Sequence, residues 1–277
     1  MNPAAITGVR AKLKAGDPVV GMWVTFDAPA VTEIAVSIGL DWVIIDKEHG
    51  YLDWGDVANH LRCVSRSSTM ALVRIPELSE ENVKRALDIG ADGIVVPGCD
   101  SAEKLLEAVE YGRYAPYGKR GLGGDRATGW GTRTADHVQI ANEHTVIMPL
   151  FESVDVIKNL NGILKVAAEH NVDMFYFGPA DHCASAGEAG QWDVPQVADE
   201  IREIVSRLRA DGRYAGVITK DNADLDRRVG EGFQIIGLGM ESSLLISQVR
   251  NRLDHIGRGS PYRQTSVLHQ VFLSVLK

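Results

Sequence analysis

Asp46, Glu48 and His49 fall within four residues, directly after the apolar run Trp42-Val-Ile-Ile45. A second run, Met70-Ala-Leu-Val73, ends on Arg74, and a third leads through Leu150 and Phe151 to Glu152. Asp181 follows Gly178-Pro-Ala180, and Lys220 follows Ile218-Thr219. Glu152 and Asp181 offer hard oxygen donors suited to Mg²⁺ or Mn²⁺, with water and substrate oxygens filling the remaining positions. Both also stand near helix starts, where a carboxylate serves equally well as a cap. Arg74 suits a substrate carboxylate or a developing enolate oxygen, or else an ion pair that closes the fold. His49 has the side chain of a general base, and equally that of a solvated loop histidine. Lys220 has the amine that a Schiff base requires. His182, beside Asp181, is a further neighbour of that site.

The elements that must position these groups are short β-branched runs alternating with helical patterns. The runs are Val19–Val24, Trp42–Asp46, Met70–Arg74, Gly93–Pro97, Val146–Phe151, Met174–Phe177, Tyr214–Ile218 and Gln234–Leu238. Several are continuously apolar, as parallel strands covered on both faces must be. Between them, Trp54, Val57, Ala58, Leu61 and Val64 recur at helical spacing. Ser79 and Ser101 cap helices that stop at Gly90 and Gly112, and Asp221 and Glu241 open two more. Eight such units in one chain predict a closed (β/α)8 TIM barrel. An open doubly wound sheet is the second choice, but no glycine-rich dinucleotide fingerprint follows the first strand. Barrel enzymes work at the C-terminal ends of the strands. Read in order, those ends present Trp23, Asp46 to His49, Arg74, Glu152, Gly178 to Asp181 and Lys220 on one rim.

Two segments stand outside the repeat. Residues 113–133 form a long connection rich in Gly and Arg, a length that usually signals a functional or assembly element, and its 121–124 glycines are a weak phosphate cradle. Residues 257–277 carry Val267, Leu268, Val271, Phe272, Val275 and Leu276 at helical spacing, which predicts an extension that packs on a neighbouring subunit beyond a catalytic domain of residues 1–256. A net charge of −8 among 277 residues argues against a nucleic-acid partner. No apolar stretch is long enough to span a membrane, and the N-terminus lacks the pattern of a signal peptide. Three scattered cysteines without a C-x-x-C pair suit a reducing cytoplasm.

Taken together, Asp41-Trp-Val-Ile-Ile-Asp46-Lys-Glu-His49, Val73-Arg74-Ile-Pro76, Arg113-Tyr-Ala-Pro116-Tyr-Gly-Lys-Arg-Gly121 and Gly178-Pro-Ala-Asp181 resemble the HpcH/HpaI aldolases. The likeness runs from about Gly21 to Leu245. It implies a class II pyruvate aldolase on a (β/α)8 barrel, reversibly cleaving a 4-hydroxy-2-oxo acid to pyruvate and an aldehyde. Glu152 and Asp181 would hold the divalent metal (Mg²⁺ or Mn²⁺, with Co²⁺ or Zn²⁺ as further options), and backbone amides at Ala180 and Asp181 would receive the substrate carboxylate. Arg74 would stabilise the enolate oxygen. His49 would act as general base toward the C4 hydroxyl, with Asp88 raising its basicity across a subunit interface, which implies a homo-oligomer, a trimer or hexamer. Trp23 and Asp46 would line or support the pocket.

Leu150 departs from the resemblance, standing where many relatives place a glutamine that helps bind substrate. That difference leaves the acceptor aldehyde open, and with it decarboxylation of oxaloacetate, which makes the same enolate. An acyl-CoA lyase on the same barrel, a Schiff-base aldolase through Lys220 and a non-enzymatic assembly protein are the remaining readings.

Overall fold

The computed structural model describes residues 1–192 and 194–259. Its strands are β1 (Val19–Val24), β2 (Trp42–Asp46), β3 (Met70–Arg74), β4 (Gly93–Val96), β5 (Val146–Phe151), β6 (Met174–Phe177), β7 (Tyr214–Ile218) and β8 (Ile235–Met240). They lie in chain order around a closed parallel barrel, as the alternation of apolar runs and helical patterns predicts. The helices are α1 (Pro3–Ala15), α2 (Pro29–Ser37), α3 (Trp54–Val64), α4 (Glu80–Asp88), α5 (Ala102–Gly112) and α6 (Thr134–His144). They continue as α7 (Asp155–Glu169), α8 (Pro179–Ser185), α9 (Pro195–Ala210), α10 (Asn222–Glu231) and α11 (Glu241–His255). Among the described residues no helix is long and apolar enough to cross a membrane.

The expected caps form. The side chains of Ser79, Ser101 and Asp221 accept the N–H groups of Asn82, Lys104 and Asp224, each satisfying a donor that its helix leaves open. Two residues beyond α4, Gly90 takes a φ of 103°, a left-handed turn that a residue without Cβ makes at little cost. The helix α1, which lies outside the repeating pattern, closes the N-terminal end of the barrel by burying Ala5, Ile6, Val9 and Leu13 against the interior.

Three large rings fill that interior. Tyr176 meets Trp23 at 5.4 Å and Trp42 at 5.9 Å between centroids, both edge-on, and Trp23 Nε1 donates to its hydroxyl at 3.1 Å. Room for them comes from three strand glycines. A Cβ added at Gly21 would lie 2.2 Å from the Trp42 ring, at Gly216 2.5 Å from the Tyr176 ring, and at Gly237 2.3 Å from the Tyr176 hydroxyl. Residues alternating with these, such as Val43, Val73, Ile94, Phe151 and Phe175, face outward and pack under the helices.

Met1–Gly239 form one compact unit, and a second begins at Met240 and contains α11. Within the latter, Leu244, Leu245, Ile246 and Val249 are exposed. The amphipathic stripe expected over 267–276 lies outside the described residues.

The crowding of the interior gives a direct test. Gly21→Ala should destabilise the fold by about 1–3 kcal/mol through overpacking against Trp42. The check is the denaturant midpoint at unchanged m-value, and a wild-type midpoint would show slack that the structure does not contain.

Candidate active site

Asp46 and Arg74 end neighbouring strands and face each other in register. Arg74 Nε donates to Asp46 Oδ1 at 2.9 Å and Nη2 donates to Oδ2, a two-pronged clamp whose members are both buried. The same Oδ1 accepts the backbone N–H groups of Glu48 at 3.0 Å and His49 at 3.2 Å. The turn is tight, since a Cβ at Gly50 would lie 2.2 Å from the Asp46 carbonyl oxygen. One carboxylate thus sets both the guanidinium and the backbone carrying the next two polar side chains. Arg74 also stacks 4.7 Å from the Trp23 ring and places Nη1 3.0 Å from Glu48 Oε2. Burial works against its charge, but the bond to Asp46 and the charges of Asp46, Glu48 and Glu152 prevail and hold its pKa above the usual value. The ion-pair reading of Arg74 is therefore realised. Of its five N–H donors, Asp46 takes two and Glu48 faces a third, which leaves two for a substrate oxygen.

Opposite this clamp, Glu152 follows β5 and Asp181 lies in the first turn of α8, directly after the adjacent strand β6. Gly178 keeps the space between them open. From the point where its Cβ would stand, Glu152 Oε2 is 3.6 Å away and Asp181 Oδ2 is 3.7 Å away. Glu152 Oε1 accepts the N–H of Gly98, and among the described residues Asp181 has no hydrogen-bond or ion-pair partner. Neither carboxylate is occupied as a helix cap.

The site carries more negative charge than Arg74 can balance. Burial, then the neighbouring Glu48 and Asp181, push the Glu152 carboxyl up to about 7, against the opposing pull of the Gly98 N–H and Arg74. Glu48 is also raised, by burial first, with Asp46 and Asp181 adding to the effect while Arg74 and His49 oppose it. A cation placed among these carboxylates would favour their charged forms. Two hard oxygen donors aimed into one space fit a divalent ion. Among the described residues no group of three or more His, Cys, Asp or Glu side chains is gathered for a metal, so water and substrate oxygens would complete the coordination.

The other expected residues are less uniform. His49 is exposed on the turn beside Glu48. Trp23 lies under Arg74, and Ala180 and Asp181 stand in the first turn of α8, where N–H groups lack intrahelical acceptors. Leu150 faces the barrel interior, paired in register with Tyr176. Lys220 follows β7 with its ammonium 5.4 Å from the Trp192 ring. His182 is turned away from the rim, with its ring 5.0 Å from Phe177 and Nε2 2.9 Å from Glu200. Asp88 is the last residue of α4, at the opposite end of the barrel from His49, and pairs with Arg120 at 2.7 Å. Of the expected phosphate cradle, Gly123 instead packs on Asp88, whose Oδ2 would stand 2.9 Å from a Cβ there. The sequence sets Glu48 between Asp46 and His49 without giving it a role, and Gly98 it does not single out at all, because Gly98 acts through its backbone, which residue type does not reveal.

Comparison with known proteins places the fold and the family. The family model described as HpcH/HpaI aldolase/citrate lyase matches residues 19–248. A 2-keto-3-deoxy-L-rhamnonate aldolase of Salmonella gallinarum (strain 287/91 / NCTC 13346) is 31% identical over 255 residues, covering 91% of this chain and 94% of the relative. The crystal structure of an HpcH/HpaI aldolase/citrate lyase family protein from Burkholderia cenocepacia J2315 superposes with a TM-score of 0.84 at 28% identity, covering 90% and 98% of the two chains. That of an HpcH/HpaI aldolase from Desulfitobacterium hafniense DCB-2 gives 0.82 at 29% identity, covering 92% and 98%.

The raised Glu152 pKa sets a pH dependence. A folded-state pKa of about 7, above the ordinary 4.5, means that in the metal-free protein this group contributes most to stability at low pH and loses that contribution as pH rises through 7. Cation binding runs the other way, because Glu152 must first lose its proton. Mn²⁺ affinity measured by calorimetry should therefore fall about tenfold between about pH 8 and pH 6. A flat profile would remove Glu152 from the cation site.

Proposed function

The chain belongs to the HpcH/HpaI aldolase/citrate lyase family and is a metal-dependent class II aldolase, and we propose that its substrates are 4-hydroxy-2-oxo acids of the 2-keto-3-deoxy sugar-acid kind. The products are then pyruvate and an aldehyde. The observation that supports the assignment of residues is the convergence of the Glu152 and Asp181 oxygens on one space beside the Asp46–Arg74 clamp.

Glu152 and Asp181 would hold a divalent cation, Mg²⁺ or Mn²⁺ in view of their hard oxygen donors, and it would supply positive charge to stabilise the enolate. The remaining work falls to the chain. The two uncommitted N–H groups of Arg74 donate to the keto oxygen as it gains charge, and Asp46 and Trp23 keep the guanidinium in place for this. A fixed donor in a dry setting stabilises the charged transition state more than the neutral substrate. The N–H groups of Ala180 and Asp181 receive the substrate carboxylate. His49, exposed on its turn, takes the C4 hydroxyl proton through water as the C3–C4 bond breaks, and returns it in the condensing direction. Leu150 lies two residues before Glu152 in the buried floor beneath the site, where it offers contact without hydrogen bonding.

The carboxylate that the family likeness assigns to His49 is Asp88, which its own chain does not bring near. The nine residues of α4 run about 12 Å down the barrel, which leaves Asp88 at the far end. The proposal therefore includes a homo-oligomer, a trimer or hexamer, in which Asp88 of one subunit serves His49 of the next. The exposed apolar residues of α11 offer further contact area. A catalytic barrel of residues 1–256 and a contact-making extension of 257–277 belong to the same reading, as does the cytoplasm, where the free thiols Cys63, Cys99 and Cys183 stay reduced.

EDTA should abolish pyruvate release from a 4-hydroxy-2-oxo acid, and Mg²⁺, Mn²⁺ or Co²⁺ should restore it. Activity that survives EDTA together with borohydride trapping of pyruvate on Lys220 would sink this reading. Arg74→Ala should lower kcat at least about 100-fold; near-normal turnover would refute its role. Co-expressed His49→Ala and Asp88→Ala chains, each inactive alone, should regain about a quarter of wild-type turnover in mixed oligomers. No recovery would place Asp88 outside the chemistry.

A further inference from the structure

Arg113 opens the motif Arg113-Tyr-Ala-Pro116-Tyr-Gly-Lys-Arg-Gly121, which the chemistry at the rim does not use. It follows α5 directly and so lies at the N-terminal end of the barrel, away from Glu152. Only 7% of it is exposed, its Nε is buried without a hydrogen-bond partner, and among the described residues no carboxylate lies within ion-pair distance of its guanidinium. The other buried arginines are all matched: Arg74 by Asp46, Arg120 by Asp88 and Arg228 by Glu231. A buried guanidinium left without a counter-charge is costly enough that the gap calls for an explanation.

The surroundings supply one. Arg113 lines a cavity of about 680 Å³ together with Arg10, Gln139, Glu143, Glu169 and Arg213, a size typical of small-molecule sites. The nearby acids do not answer Arg113. Arg10 engages both oxygens of Asp173, at 2.7 and 3.2 Å, and Arg213 holds Asp211 at 3.1 Å. Asn142 is committed in both directions to the backbone of Tyr114. What remains open includes the Arg113 guanidinium, the exposed Gln139 amide, the Tyr117, His170 and Asn171 side chains, and the Glu143 and Glu169 carboxylates as acceptors. Burial first, then the charge of Arg10, lowers the Arg113 pKa, with only Asp173 opposing, consistent with a cation that lacks its anion.

We propose that this cavity binds a small anion, its carboxylate or phosphate held by Arg113 and its hydroxyl groups by Gln139, Glu143 and Glu169. The site lies at the other end of the barrel from Arg74, Glu152, Asp181 and His49 and does not depend on their assignment. A carboxylate ligand would be a polyhydroxy acid; a phosphate ligand would be free or esterified phosphate.

Calorimetry on the full-length, metal-loaded protein, with pyruvate in excess to occupy the rim, separates the two. Gluconate and inorganic phosphate are titrated in turn. At least one should bind saturably at one equivalent per chain, and the one that binds identifies the head group. Arg113→Met, which keeps volume and removes charge, should weaken binding about tenfold or more. Gln139→Glu adds a negative charge on an exposed part of the wall without touching the core, and should weaken binding about threefold or more even where Arg113→Met does not fold. Saturable binding that both variants leave unchanged, binding that Gln139→Glu leaves unchanged when it alone folds, or no saturable binding of either probe overturns the proposal.

Discussion

Burying a guanidinium costs several kcal/mol unless a carboxylate meets it, and at the top of the barrel Asp46 meets Arg74 with both oxygens. That contact reaches further than an ordinary ion pair. The oxygen that holds Arg74 Nε also gathers two N–H groups of the following turn, so the strand end, the cation and the positions of Glu48 and His49 are set together. Beneath the guanidinium lies Trp23, and Trp23 is held in turn by the Tyr176 hydroxyl. A column of contacts thus runs from the packed interior to the reactive rim. In the proposed reaction, the donor that must stay rigid as charge develops is fixed from the packed interior.

Against that rigid cation stands a surplus of carboxylates. Burial, with Glu48 and Asp181 close by, lifts the Glu152 pKa to about 7, and burial raises Glu48 as well. An arrangement so poorly balanced would be disfavoured if stability were its only measure. It makes sense as a receptor for a divalent ion, with Gly178 leaving the space clear and Gly98 steadying one Glu152 oxygen through its backbone.

Most of the architecture could be read from residue order because its signals are local. Apolar runs of strand length, serine and aspartate caps and a glycine stop each depend on a few adjacent residues, and the strands and capped helices fall where those signals stand. The rim residues were legible for a related reason: in a parallel barrel, the last residue of every strand is on the same side. What escaped was whatever depends on direction or distance. His182 follows Asp181 by one residue, yet a helical step of about 100° sends its ring toward Phe177 and Glu200 instead. Asp88 belongs to the same βα unit as Arg74, but its helix carries it to the other end. The helix α1, which seals the barrel from below, precedes the first strand and so fell outside the repeat that organised the reading.

Trp23, Trp42 and Tyr176 have one more consequence. With glycines at 21, 216 and 237 yielding their space to rings, the tube is a packed core and not a pore. Its two mouths are sealed from each other like vessels divided by a bulkhead, so solutes and water cannot percolate from the Arg113 side to the Glu152 side. Any conversation between them has to be mechanical, carried by small shifts of the outer helices and of the backbone joining them to the staves.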